Sequence, residues 1–127
     1  MKGKIIVALL FFAFSIPAFA DTFEEVIVLI KNSNHKELTK FFNSTVELTV
    51  LENEGVYSRQ QADVILTNFF TQNPPTAVII SHRGSSAQGS KYAIATYETA
   101  KGKFKVYIFM KDSPTGMMIQ ELRFEKE

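Results

Sequence analysis

In the stretch "VIISHRGSS", residues 78–86, an imidazole, a guanidinium, a glycine and two hydroxyls fall within a few positions. A histidine titrating near neutral pH can act as a general acid or base, and an arginine beside it can hold a carboxylate or phosphate. His82 and Arg83 are therefore the first candidates for chemistry. The plainer reading is that strand alternation turns one of them outward and that Gly84 ends the strand. Ser85 and Ser86 lie near His82 only in sequence, which does not make a nucleophilic triad. His35, in the first turn of a short helix, reads as a surface residue. Two histidines 47 positions apart, no cysteine and no acidic pair at ligand spacing predict no metal site. "GSSAQGS" leads into a strand rather than a helix, so no phosphate-binding loop and no cofactor is expected.

Positioning these residues falls to elements that the hydrophobic pattern delineates. Thr22 with Glu25 forms a capping box ahead of Phe23, Val26, Ile27 and Ile30, which predicts a helix over about 23–31. Asn34 with Glu37 repeats the signal ahead of Leu38, Phe41 and Phe42. Ser58 with Gln61 caps a third helix in which Ala62, Ile65, Leu66, Phe69 and Phe70 share one face, and Pro74-Pro75 stops it. "TVELTVLENEGVYS" reads as a β-hairpin turning at 52–55, and strands are expected at 76–83, 91–99, 103–111 and 117–125. A chain that begins helical and ends as an antiparallel meander is α+β.

A two-residue turn at Lys101-Gly102 would pair Glu98 with Lys105 and Tyr97 with Val106. Pairing Met110 with Met118 would then set Ile108 against Gln120, Val106 against Leu122 and Phe104 against Phe124. That register gives an inner face of Ala93, Ala95, Tyr97, Phe104, Val106, Ile108, Met110, Met118, Gln120, Leu122 and Phe124. Tyr97 and Gln120 are its polar members. With Tyr57 and His82 they are the expected ligand-binding set, although a tyrosine and a glutamine can equally satisfy each other inside an ordinary core. The outer face centres on Ile94, Tyr107, Phe109 and Ile119, with Glu98, Lys105, Glu121 and Arg123 around them. It is more apolar than a solvated face should be.

Lys2 and Lys4 precede an unbroken apolar run from Ile5 to Phe14, and Ala18-Phe19-Ala20 carries small residues where a signal peptidase reads. Residues 1–20 are therefore expected to be a removed signal peptide, too short to span a membrane, and residues 21–127 a single domain that is periplasmic or secreted. Losing Lys2 and Lys4 from the 14 basic residues leaves 12 against 13 acids, a formal net charge of −1. No general attraction to nucleic acid or anionic membrane follows from it. Without cysteine there is no disulfide framework, so the fold must rest on its core. Phe11, Phe12, Phe14 and Phe19 belong to the leader, which leaves eight of the 12 phenylalanines and all four tyrosines for that core.

Two short capped helices, a hairpin, a capped helix ending "NFFTQNPP" and a four-strand meander resemble the nuclear transport factor 2-like, cystatin-like superfamily, whose curved sheet wraps a long helix into a cone. "GVYSRQQADVILTNFF", the turn at His82–Gly84, "KYAIATYETAKGKFKVYIFMK" and "IQELRFEKE" are similar, over essentially the whole mature chain, to a family of short secreted bacterial proteins within it, a domain of unknown function. The resemblance implies three helices of the N-terminal half packed on a curved antiparallel sheet. It says little about activity, because the superfamily hosts isomerases, dehydratases and hydrolases alongside binding and assembly domains. Its catalytic members place an acid or histidine in the cone, helped by a tyrosine or a second acid. The matching region here, "TVELTV", offers only Glu47, out of phase with the apolar set, which counts against catalysis. The superfamily often dimerises through its sheet, so the outer patch is the expected homodimer interface. The expectation is thus an exported, non-catalytic domain binding a small apolar ligand or a protein partner in its cone. The alternative is a small-molecule lyase or isomerase using His82 with Tyr97.

Overall fold

The structure, a computed structural model, describes residues 22–86 and 88–127. The expected leader and its cleavage point before Asp21 lie outside the described residues. Helix α1 (Thr22–Lys31) buries Phe23, Val26, Ile27 and Ile30, its apolar stripe. Thr22 is itself the first helical residue rather than the cap expected from its spacing to Glu25. In α2 (His35–Thr39) the side-chain oxygen of Asn34 accepts from the Glu37 backbone at 3.3 Å, and Leu38 is buried. The chain then runs through β1 (Phe42–Val50), β2 (Asn53–Ser58) and α3 (Arg59–Gln72). Ser58 forms both halves of a capping box with Gln61 at the start of α3. The Asn73 backbone donates to the Phe69 carbonyl at 2.9 Å, and Pro74-Pro75 cannot extend the helix. Strands β3 (Pro75–Ser85), β4 (Ser90–Thr99), β5 (Gly102–Ser113) and β6 (Gly116–Lys126) complete the molecule.

The six strands form one curved, unclosed sheet in the order β2-β1-β6-β5-β4-β3. The pairs β1–β2, β3–β4, β4–β5 and β5–β6 are antiparallel, β1 and β6 pair parallel, and β2 and β3 are the two edges, so the sheet is mixed. All three helices lie on one side. There α3 carries Phe69 into a cluster with Phe124, Phe104 and Tyr97, at ring-centroid distances of 4.8, 5.3 and 5.5 Å. Phe70 extends it against Tyr97 and Phe124, and every one of these rings is buried. The cone is therefore filled by its own side chains at this level, a packed core rather than a chamber. Two contacts fix the smaller helices. Arg83 of β3 holds Glu24 of α1, and His35 of α2 lies 2.5 Å from Asp63 of α3.

The meander's register differs from expectation in two instructive ways. The β4–β5 turn consists of Ala100-Lys101 rather than Lys101-Gly102, so Tyr97 pairs with Phe104 and Glu98 with Lys103. The Thr99 hydroxyl fixes it there, accepting from the Lys101 backbone at 3.1 Å and donating to the Gly102 carbonyl at 2.8 Å. Moving the turn by one residue shifts the pairing by two, so every side chain keeps its face. The β5–β6 turn, Pro114-Thr115, shifts the pairing by one, and this flips faces: Met110 meets Ile119, and Lys111 meets Met118. A bulge at Gln120 then restores the phase, so Ile108 meets Leu122 and Val106 meets Phe124. Two residues change face as a result. Ile119, expected on the outer face, is wholly buried in the core, and Met118, expected inside, is half-buried opposite Lys111.

Candidate functional site

Helix α3 has a second stripe beside its core stripe. Ile65, Asn68, Phe69 and Gln72 recur at helical spacing and line a cleft of about 700 Å³ at the mouth of the cone. The opposite wall is the end of β1 and the β1–β2 turn, Val50 to Asn53, and the end of β6 adds Glu125 and Lys126. Asn73 completes the lining, but its groups are engaged: its side-chain nitrogen donates to the Phe69 carbonyl at 3.2 Å, and its carbonyl accepts from the Tyr97 hydroxyl at 2.5 Å. Leu51, at the lip, has a positive φ of 58°, sparsely populated for a bulky residue. Its backbone nitrogen donates to the Phe124 carbonyl at 2.8 Å, which holds the turn against β6.

None of the residues singled out from sequence for ligand binding lines this cleft. Tyr97 is on the inner face but fully buried within the aromatic cluster. Burial pushes its phenol well above the ordinary tyrosine value. Gln120 occupies the β6 bulge, half-buried, where its side-chain oxygen accepts from the Asn43 side chain at 3.4 Å rather than meeting Tyr97. Tyr57 is half-buried on β2 against the core, its ring 3.0 Å from where a side chain on Gly55 would begin. His82 is exposed on the outer face, paired with Ile94 across β3 and β4, its Nδ1 3.1 Å from the Ser81 hydroxyl. A bulge at Ser81 sets that orientation and turns Arg83 toward α1. His82 and Tyr97 thus lie on opposite faces of the sheet and cannot meet at one substrate. Gly84 pairs with Tyr92, and a side chain there would begin 2.2 Å from the Tyr92 ring. The "HRG" stretch is therefore continuous strand within β3, which runs past Gly84 to Ser85 instead of ending there. Glu47, on β1, is exposed, as its alternation required.

The outer face carries Ile94, Tyr107 and Phe109 as the sequence suggested, half-buried, without Ile119. Tyr92, which sequence reasoning left out, takes the vacant place. It is 37% exposed and stacks on Tyr107 with ring centroids 6.2 Å apart. The signal for it was available, since Tyr92 alternates in phase with Ile94 on β4. Ile79, 57% exposed on edge strand β3, extends the apolar surface. Arg123 flanks it on β6, 3.0 Å from Glu125 and 3.5 Å from Glu121, with its buried Nε unpartnered among the described residues. Burial raises the Tyr107 phenol, and the negative charge of Glu121 adds to the shift. Among the described residues, no three His, Cys, Asp or Glu side chains converge as a metal site would require, and no helix is long and apolar enough to cross a membrane.

Three comparisons bear on identity. A family model for a domain of unknown function, DUF4783, matches residues 23–125. A solved DUF4783 family protein from Bacteroides ovatus is 27% identical, with a TM-score of 0.74 over 80% of this chain and 92% of that one. Another, from Bacteroides uniformis, is 25% identical, with a TM-score of 0.76 over 82% of this chain and 95% of that one. A domain of unknown function with a cystatin-like fold from Nostoc punctiforme shares the fold at 11% identity, with a TM-score of 0.65 over 83% of this chain and 72% of that one. No curated protein matches the sequence. The matched segment runs through all nine elements described above, and the chain belongs to the DUF4783 family, a domain of unknown function on a nuclear transport factor 2-like, cystatin-like fold.

Proposed function

We propose that the protein is an exported, non-catalytic binding domain that works as a homodimer, with the outer face of its sheet as the interface and the cleft at the cone mouth as the ligand site. The observation that carries this reading is the outer face itself. Tyr92, Ile94, Tyr107 and Phe109 converge there, and the three helices are all on the other side. A sheet face of that composition left in water is an aggregation liability, whereas a second copy removes it from solvent. Lys105 on β5 and Glu121, Arg123 and Glu125 on β6 flank the patch, a charged rim around an apolar centre as interfaces have. Export rests on the basic, apolar and small-residue sequence of the first 20 positions.

Sedimentation of the mature protein over a concentration series tests the interface. A reversible dimer is expected, and Phe109→Arg should give a folded monomer by placing like charges face to face across the two-fold axis. A monomer at every concentration for the unmodified protein would overturn the assignment. A lyase or isomerase reading through His82 and Tyr97 has no geometric support, since the sheet lies between them.

A further inference from the structure

We infer that the cleft at the mouth of the cone takes a neutral saccharide. This rests on the reading of the protein as a binding domain and names the ligand class. Three carboxamides, Asn53, Asn68 and Gln72, line the cleft, and none of their side chains hydrogen-bonds to any other described residue. Asn68 and Gln72 stand one turn apart on α3, while Asn53 faces them from the start of β2, so the amides approach from two sides. Below them Val50, Ile65 and Phe69 form an apolar floor, and Leu51 covers the lip.

A carboxamide both donates and accepts without charge, as a sugar hydroxyl does, and the C–H faces of a pyranose suit an apolar floor. A purely apolar guest would strip water from three amides with nothing in return, which is costly. An extended peptide presents its polar groups along a line, where a sheet edge serves it better than groups converging from two walls. The charged members, Glu52, Glu125 and Lys126, are of both signs, so no single ligand charge is favoured. Leu51 points the same way: its left-handed backbone keeps a bulky apolar side chain, 40% exposed, at a turn position that favours glycine.

Side-chain amide signals in nitrogen-15 correlation spectra of the mature protein read the inference directly. The probes are maltotriose, cellotriose and chitotriose, against N-acetyl-tetraalanine amide and 1-octanol. At least one trisaccharide should shift the NH2 signals of Asn53, Asn68 and Gln72 saturably, and the two other probes should not. The double variant Asn68→Ala and Gln72→Ala, helix-favouring at exposed positions, should fold normally and bind that sugar about tenfold more weakly. Sugar shifts that persist unchanged in the double variant would overturn the inference. Shifts at the cleft from the peptide or octanol alone would overturn the saccharide class while leaving the cleft a binding site. Silence from all five probes would overturn both.

Discussion

The residues that matter most are those whose polar ends are already committed. The Tyr97 hydroxyl donates to the Asn73 carbonyl just past the end of α3, tying the end of that helix to β4. Tyr97→Phe should therefore cost about 1 kcal/mol in a urea titration, because it leaves a carbonyl without its partner. Burial raises this phenol above its ordinary value of 10.0, so the folded state holds the proton more tightly than the unfolded chain. The resulting stability is complete below pH 10 and is lost as pH rises beyond it. Denaturant midpoints should fall on the alkaline side in the unmodified protein, and that part of the slope should vanish in Tyr97→Phe. Phe69, at the centre of the aromatic cluster, should cost about 3–5 kcal/mol on truncation to alanine. A loss under about 1 kcal/mol would mean that α3 does not pack as described. Gly84→Ala should act differently. It should displace the flexible Tyr92 ring from Tyr107, weakening the proposed dimer in sedimentation more than it lowers the melting temperature.

At the scale of elements, β6 is decisive. Its bulge at Gln120 allows Ile119 to enter the core while Leu122 and Phe124 keep their phase. β1 accommodates it with an irregularity of its own, pairing Phe42 with Ile119 and then Glu47 with Glu121. Ile119→Asp should consequently unfold the protein, because it buries a carboxylate with no partner. Circular dichroism distinguishes this from a folded monomer, the result an outer-face position would give. The helix signals in the sequence were legible because caps and apolar stripes are local: Ser58 with Gln61, and Asn34 with Glu37, do what their spacing implies. Strand identities were legible for the same reason. The register at the β5–β6 turn was not, since Asp112–Gly116 can close in two ways of opposite parity, and only the burial of Ile119 in the core selects one.

For the whole molecule, the cone is filled by its own side chains and the outer face of the sheet carries a partly exposed apolar patch. The core side is closed by seven buried aromatic side chains, six phenylalanines and Tyr97, that need no disulfide, and the proposed ligand site and interface lie at the mouth and on the far side of the sheet. If the first 20 residues are a leader, amino-terminal sequencing of exported material should begin at Asp21. A mature protein still carrying Met1 would refute export. The candidate cleft was illegible as a site because its residues come from α3, the β1–β2 turn and the end of β6, which are remote in sequence. Amides such as Asn68 and Gln72 on an exposed helix face look like ordinary solvation until a second wall stands opposite them.

The sequence carried a resemblance to the family, and what its residues determined alone was local and periodic: three helices, two of them capped where expected, six strands, a fold class, and the rule that Tyr97 and the aromatic stripe of α3 face inward. Those follow from spacing, which the chain carries wherever it is placed. The tertiary structure decided what depends on contacts between distant segments. It set the parallel pairing of β1 with β6, the bulge that moves Ile119 inside, and the separation of His82 from Tyr97 by the thickness of the sheet. A one-residue change in register costs nothing in local propensity and inverts a whole face, so only the free energy of burying one face rather than the other could make that choice.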